Sequence, residues 1–243
     1  MTLLFTPDQK LFQYLPIVLK SILTHLSGKI DHVYLLSFDD LDLSTLPVSQ
    51  VTLIKVDRED MRGFITKSLT DRLTLGAWLR ILAPRLLPIV DKVLYLDIDI
   101  VVENDLRPLW IIDLEDKPFA AVRQYPLEKG LQEIQSGVLL MNLKRLREID
   151  FEQLCLSQVQ ENERNGVYHE SLDQGVITQL FSTNYRELPW EWNFTRYPGL
   201  HNFDDTRYLE TMIGDYSKIA IFHYAGPTKP WTVPWSRWYK YTS

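Results

Sequence analysis

Residues 92–102 read KVLYLDIDIVV, and this stretch limits the possible folds more than any other. It is apolar along nearly its whole length. Such a run suits a parallel strand covered on both faces, whereas a strand with one wet face alternates apolar and polar residues. Two carboxylates interrupt it, Asp97 and Asp99, one isoleucine apart. Residues two apart on a strand project to the same face, so the two charges would crowd together. Unneutralised carboxylates in a low dielectric are costly, and a cation between them removes the cost. Oxygen ligands of this kind suit Mg2+ or Mn2+. In open parallel sheets ligands bind beyond the carboxyl ends of strands, where a departing DID would lie. Alone the pattern is weak: D-x-D is common, and exposed charges at a strand end explain it at least as well.

The flanking sequence alternates element types. LLF (3–5), HVYLLSF (32–38) and VTLIKV (51–56) read as strands. FQYLPIVLKSILTHL (12–26) carries Leu15, Val18, Leu19, Ile22 and Leu26 at helical spacing, and residues 70–87 read as a second helix closed by Pro84 and Pro88. FAAV (119–122) and SGVLLMNL (136–143) read as further strands. Residues 143–164 form an amphipathic helix with a break near Asp150, and SLDQGVITQLF (171–181) a short one. The end of the chain is irregular and rich in Trp, Tyr and Pro. Strand–helix alternation predicts an α/β fold, a mainly parallel central sheet flanked by helices. No repeat or linker divides the chain, so one domain over residues 1–243 is expected.

Composition narrows the function. Lys and Arg number 26 against 32 Asp and Glu, a net charge of −6, which argues against a nucleic-acid partner. The single cysteine, Cys155, excludes an intrachain disulfide and a thiolate metal cluster. It reads as a buried apolar residue. MTLLFTPDQK lacks the basic start and apolar run of a signal peptide, and LFQYLPIVLKSIL is too short to span a bilayer. A cytoplasmic protein is expected, with peripheral membrane contact left open.

A second constellation lies at HYAGPTKPW, His223 to Trp231. An imidazole is a competent third ligand for Mn2+, though a lone histidine is more often packed or on the surface. Gly226 would let backbone N–H groups approach a phosphate, and Lys229 would bring a point charge. With these segments the chain resembles glycosyltransferase family 8, which contains glycogenin and bacterial lipopolysaccharide galactosyl- and glucosyltransferases. The resemblance spans nearly the whole chain in the family's order. LLFTPDQKLFQYLPIVLKSIL is similar to the opening strand, nucleotide loop and first helix. GAWLRILAPRLLPIVDKVLYLDIDIVV is similar to the arginine helix and D-x-D strand. QSGVLLMNL, LDQGVIT, WEWNF and HYAGPTKPW resemble the segments that follow.

The resemblance implies a GT-A type nucleotide-sugar-binding fold and a retaining hexosyltransferase. The donor would be UDP-glucose or UDP-galactose, and the acceptor a glycan, a lipid-linked group or a protein. It implies that Asp97, Asp99 and His223 hold a divalent ion, Mn2+ or alternatively Mg2+, against the UDP phosphates. Thr6, Asp8, Arg80, Ile98, Gln135, Ser136, Gly226 and Lys229 would line the nucleotide-sugar. Asp173 would bind sugar hydroxyls, and Gln174 would lie under the anomeric carbon. A neutral amide is a poor nucleophile, so front-face substitution with Gln174 supporting positive charge is the preferred mechanism. Asp8 can equally be a turn residue and Arg80 a helix-surface charge. Trp231, Trp235, Trp238 and Tyr239 fit packing of the chain end better than a sugar-stacking wall. The chain departs from the family pattern at Gln9–Lys10–Leu11, at Gln135–Ser136–Gly137 and near Arg123, where an acidic residue is replaced. These departures put the donor sugar in question and leave two alternatives: a UDP- and metal-binding module without turnover, and a nucleotidyltransferase.

Overall fold

A computed structural model describes residues 1–64, 75–124, 133–167, 173–195, 215–234 and 236–242. All the candidate site residues fall within them. The first residues of the expected helices at 70–87 and 171–181, and Trp235, lie outside.

A seven-stranded sheet forms the centre. Its strands are β1 (Thr2–Phe5), β2 (His32–Ser37), β3 (Val51–Lys55), β4 (Lys92–Leu96), β6 (Phe119–Gln124), β7 (Glu133–Asn142) and β8 (Arg186–Leu188), in the order β3-β2-β1-β4-β7-β6-β8. All neighbours are parallel except the pairs that β7 makes with β4 and β6. A smaller sheet joins β5 (Ile100–Val102), β10 (Ile221–His223) and β9 (Phe194–Thr195).

Both faces of the large sheet are covered, which accounts for the unbroken apolar runs. Leu3, Phe5, Leu94 and Leu96 point into a core shared with α2 (Leu15–His25) and β5. Leu4, Val93 and Tyr95 point into a second core under α3 (Leu79–Leu86), α5 (Leu143–Glu148), α6 (Phe151–Asn165) and α7 (Asp173–Phe181). The expected break at Asp150 separates α5 from α6, with Asp150 in the left-handed region at φ 52°. Cys155 is buried in α6. The helix expected over 12–26 is two pieces, α1 (Gln9–Phe12) and α2, because Pro16 has no N–H to give and restarts the helix at its first turn. Pro84 does not close α3, which runs on to Leu86. Between α3 and β6, α4 (Arg107–Trp110) is a single turn. Among the described residues, no helix is long and apolar enough to cross a membrane.

The strand expected over 92–102 is also two pieces. β4 ends at Leu96, paired with Val138 of β7, and β5 begins at Ile100 in the other sheet. Asp97, Ile98 and Asp99 are the crossing. The N–H of Asp97 still bonds to the Gly137 carbonyl at 2.8 Å, while the carbonyl of Asp99 already accepts from the N–H of Tyr224 at 2.9 Å. The aspartates therefore sit at the carboxyl end of a parallel strand, in a bend and not within a strand.

Candidate active site

The bend turns both aspartates toward one histidine. Nε2 of His223, at the end of β10, lies 3.3 Å from Oδ1 of Asp99 and 3.6 Å from Oδ2 of Asp97. One ligand atom from each of the three residues falls within 4.8 Å of the others. His223 is buried, and its Nδ1 lies 2.9 Å from Oδ1 of Asn193. Since Asn193 presents an acceptor, Nδ1 carries a proton and Nε2 is the atom turned to the carboxylates. Gly137 on β7 closes the floor. A Cβ there would lie 2.1 Å from Cε1 of His223 and 2.7 Å from Oδ2 of Asp97, so only glycine leaves room for both groups.

The other carboxylate oxygens are anchored in protein. Oδ1 of Asp97 accepts the Tyr95 hydroxyl at 2.6 Å and Nη2 of Arg80 at 3.2 Å. Tyr95 in turn accepts from the Thr6 hydroxyl at 3.1 Å, which ties the end of β1 to the site. Oδ2 of Asp99 is held by the Lys229 ammonium. Burial alone would raise the Asp99 pKa; His223 and Lys229 outweigh it and hold the carboxyl below its ordinary range. Protein groups therefore answer part of the charge that a cation between the aspartates would neutralise. Arg80, Tyr95 and Lys229 satisfy one oxygen of each, leaving Asp97 Oδ2, Asp99 Oδ1 and His223 Nε2 to face one another. Two carboxylate oxygens and an imidazole nitrogen fit a borderline-hard divalent ion such as Mn2+.

Arg80 is the hub. It is buried, with its guanidinium 4.1 Å above the Tyr95 ring, which rules out the reading as a helix-surface charge. Its Nη1 donates to the Ser136 carbonyl, its Nε donates to the Ala77 carbonyl at 2.9 Å, and Nε also lies 3.2 Å from Oδ2 of Asp173. Burial disfavours the Arg80 charge, but Asp173 and Asp97 overcome this and raise its pKa further. Asp173 opens α7 and is buried. Burial raises its carboxyl to about 6 despite Arg80, and the Asp97 charge pushes the same way. Because the Arg80 Nε–H is spent on Ala77, Asp173 Oδ2 has no hydrogen-bond donor among the described residues.

The remaining predicted residues fall around this core. Gln174 accepts the Ser136 N–H at 3.1 Å, and Gln135 accepts the Gly137 N–H at 3.0 Å. The Ile98 side chain is buried in the core, so only its backbone can meet a ligand. Gly226 is exposed at φ 106°, a conformation that favours glycine. Asp8 caps α1 by accepting the Leu11 N–H at 2.7 Å, the turn role left open by the sequence. Arg123 pairs with Glu187 at 2.8 Å. Of the chain-end aromatics expected to pack, Trp238 is buried and Trp231 stacks on Tyr14 at 3.8 Å, whereas Tyr239 is exposed. Tyr95, Gly137 and Asn193 were not assigned roles from the sequence. Tyr95 stands two residues before Asp97, and the other two lie in the quoted segments QSGV and WEWNF, but their roles depend on contacts with His223 and Asp97.

Known proteins share this framework. The chain resembles an active-site mutant of LgtC with TM-score 0.81 and 24% identity, covering 100% of this chain and 94% of the other. It also resembles the galactosyltransferase LgtC in complex with donor and acceptor sugar analogs, with TM-score 0.76 and 26% identity over 95% and 89% of the two chains. The fold is thus of the GT-A type. In sequence it is 32% identical over 148 residues to the "Probable glycosyl transferase Gly" of Streptococcus gordonii, covering 58% of this chain and 20% of that protein. It is 33% identical over 147 residues to the glycosyltransferase GlyA of Streptococcus pneumoniae, covering 58% and 19%. The chain thus matches about a fifth of the length of these curated relatives. The model of glycosyl transferase family 8 matches residues 5–233, and the chain belongs to that family.

Proposed function

We propose that residues 1–243 form one catalytic unit, a cytoplasmic, retaining transferase that moves a hexose from UDP-glucose or UDP-galactose to a hydroxyl of a glycan, lipid-linked or protein acceptor. The observation that carries the reading is the division of labour within each aspartate. One oxygen is anchored by protein cations and hydroxyls, and the other faces His223 Nε2. Mn2+, or Mg2+, held there by Asp97, Asp99 and His223, would supply charge neutralisation for a departing diphosphate.

The chain's own residues do the rest. Thr6 and the backbone of Ile98 stand at the strand ends nearest the nucleotide. Lys229 and the N–H groups around Gly226 engage phosphate oxygens; Lys229 must then share its ammonium between Asp99 and the phosphate. Arg80 keeps Asp97 and Asp173 in place, and Asp173 Oδ2 accepts a sugar hydroxyl. Gln135 and Ser136 form the wall beside the sugar. Gln174 supports positive charge through its carbonyl oxygen. The acceptor oxygen bonds to the anomeric carbon as the carbon–phosphate oxygen bond breaks on the same face, and the hydroxyl proton leaves with UDP.

The test is turnover of a panel of UDP-sugars with Mn2+ and with EDTA, with product anomers read by NMR. Mn2+-dependent release of UDP with retained configuration is expected. Tight UDP binding without turnover of any donor would reduce the chain to a binding module, and inverted product would remove the mechanism.

A further inference from the structure

The turn that carries Lys229 is backed by three aromatic rings. It is a single 3-10 turn, Pro230–Thr232, entered through Lys229. The hydrogen bonds that shape it stay within the chain end. The Thr232 hydroxyl donates to the Lys229 carbonyl at 2.8 Å, the Ser236 hydroxyl to the Pro230 carbonyl at 2.6 Å, and the Tyr239 hydroxyl to the Trp231 carbonyl at 3.1 Å. Residues 236–239 are tied in turn through Arg237, Lys240 and Tyr241 to Glu103, at the end of β5. The tie toward the nucleotide loop is made by the rings. Trp231 lies parallel to Tyr14, with centroids 3.8 Å apart and planes 6° from each other. Trp238, which is buried, meets Tyr14 edge-on at 6.0 Å and Trp231 at 5.5 Å. Such pairs attract beyond the area they bury. Tyr14 stands at the corner between α1 and α2, where its carbonyl accepts the Val18 N–H at 3.3 Å, and Asp8 caps α1 just before it. The Lys229 ammonium also binds Asp99, but Lys229 is about a third exposed, and a pair of that exposure is a weak anchor for a backbone turn.

We propose that Tyr14 is a positioning residue for the diphosphate: its ring, against Trp231 and Trp238, keeps the Lys229 turn in register with the loop over residues 6–8. The ammonium then meets phosphates attached to a nucleoside held by that loop. The proposal rests on the reading of Lys229 as a phosphate ligand. Tyr14 touches no phosphate itself and acts through Trp231, two residues from Lys229. Without the ring the turn keeps its own hydrogen bonds and loses its register with the loop. A nucleoside needs the loop alone, whereas a nucleoside diphosphate needs loop and turn together, so the loss falls on the phosphates.

Two variants break the stack and one keeps it. Tyr14→Leu removes the ring, Trp231→Leu removes its partner, and Tyr14→Phe keeps the ring without the hydroxyl. With Mn2+ present, the calorimetric Kd for UDP should rise at least about fivefold in both leucine variants and less than about twofold in Tyr14→Phe. The Kd for uridine, read by NMR titration, should change less than about twofold in all three. Lys229→Ala should weaken UDP in the same way, and adding Tyr14→Leu to it should weaken UDP no further. A second readout needs no ligand. In metal-free protein, amide hydrogen exchange over residues 224–232 should be at least about fivefold faster in Tyr14→Leu than in wild type or Tyr14→Phe, while β4 stays protected. Unchanged UDP affinity in the leucine variants, equal losses of UDP and uridine, a further loss in the double variant, or unchanged exchange over 224–232 would each overturn the proposal, as would Tyr14→Phe behaving like Tyr14→Leu. If the wild type binds no UDP, or Lys229→Ala binds it as tightly as the wild type, the phosphate reading of Lys229 fails, and the exchange arm still decides whether Tyr14 holds the turn.

Discussion

Asn193 holds Nδ1 of His223 at 2.9 Å and so decides which face of the imidazole looks at Asp97 and Asp99. Groups that orient a metal-binding histidine through its second nitrogen typically contribute about 10–100-fold to metal affinity. Asn193→Ala should weaken Mn2+ binding on that scale while leaving the circular dichroism spectrum unchanged. Calorimetric titration checks it, and wild-type Mn2+ affinity in the variant would remove His223 from the ligand set.

Asp99 is satisfied on one side by Lys229, so its charge contributes to the fold without any ion. Asp99→Asn should destabilise the protein in EDTA by about 1–3 kcal/mol, the scale of one charge-assisted hydrogen bond. The lower end is expected, because Lys229 is 32% exposed. Mn2+ with UDP should raise the melting temperature of the wild type and hardly that of the variant, by linkage. Thermal melts in the two conditions decide it. An Asn variant that melts at or above wild type in EDTA would mean that Lys229 and His223 do not compensate the buried charge.

Gly137 leaves no room for a methyl group between His223 and Asp97. Gly137→Ala should force one of them aside, costing about 1–3 kcal/mol of stability as an overpacked core does. It should also weaken Mn2+ binding by at least about tenfold. Calorimetry beside a melting curve separates the two effects. A folded variant that binds Mn2+ as well as wild type would show that the floor of the site yields without moving the ligands.

Asp173 gives a pH signature. Its folded pKa, about 6, lies above the ordinary 3.8, so the folded state holds the proton more tightly than the unfolded one. The corresponding stability is fully present below pH 3.8 and lost as pH rises through 6, by on the order of 2–3 kcal/mol. Wild type should therefore lose stability relative to Asp173→Asn as pH rises from 4.5 to 7.5 in EDTA. Urea unfolding across that range measures the difference, and a constant difference would show that Asp173 is already ionised at the lowest pH.

The central sheet was legible because its strands are covered on both faces and so are apolar from end to end. KVLYL and SGVLLMNL carry that signature locally, as does the break at Asp150. The ligand candidates were legible for another reason: Asp97, Asp99 and His223 are residue types that need partners, in stretches otherwise apolar. Sequence did not reveal that DID is a bend between two sheets, since strand pairing with β7 on one side and β10 on the other is a long-range choice. Nor did it show how the charges are answered. Arg80 could have been a surface cation, and became the hub of Asp97, Asp173 and Ser136 only because α3 packs beneath β4 and β7. Lys229 is 130 residues from Asp99, and Asn193 is 30 from His223. Residue types and their local pattern determined the sheet and the atoms able to bind a cation. The tertiary structure decided which oxygen of each aspartate is anchored and which is turned inward, because that depends on donors brought from distant parts of the chain into one buried place.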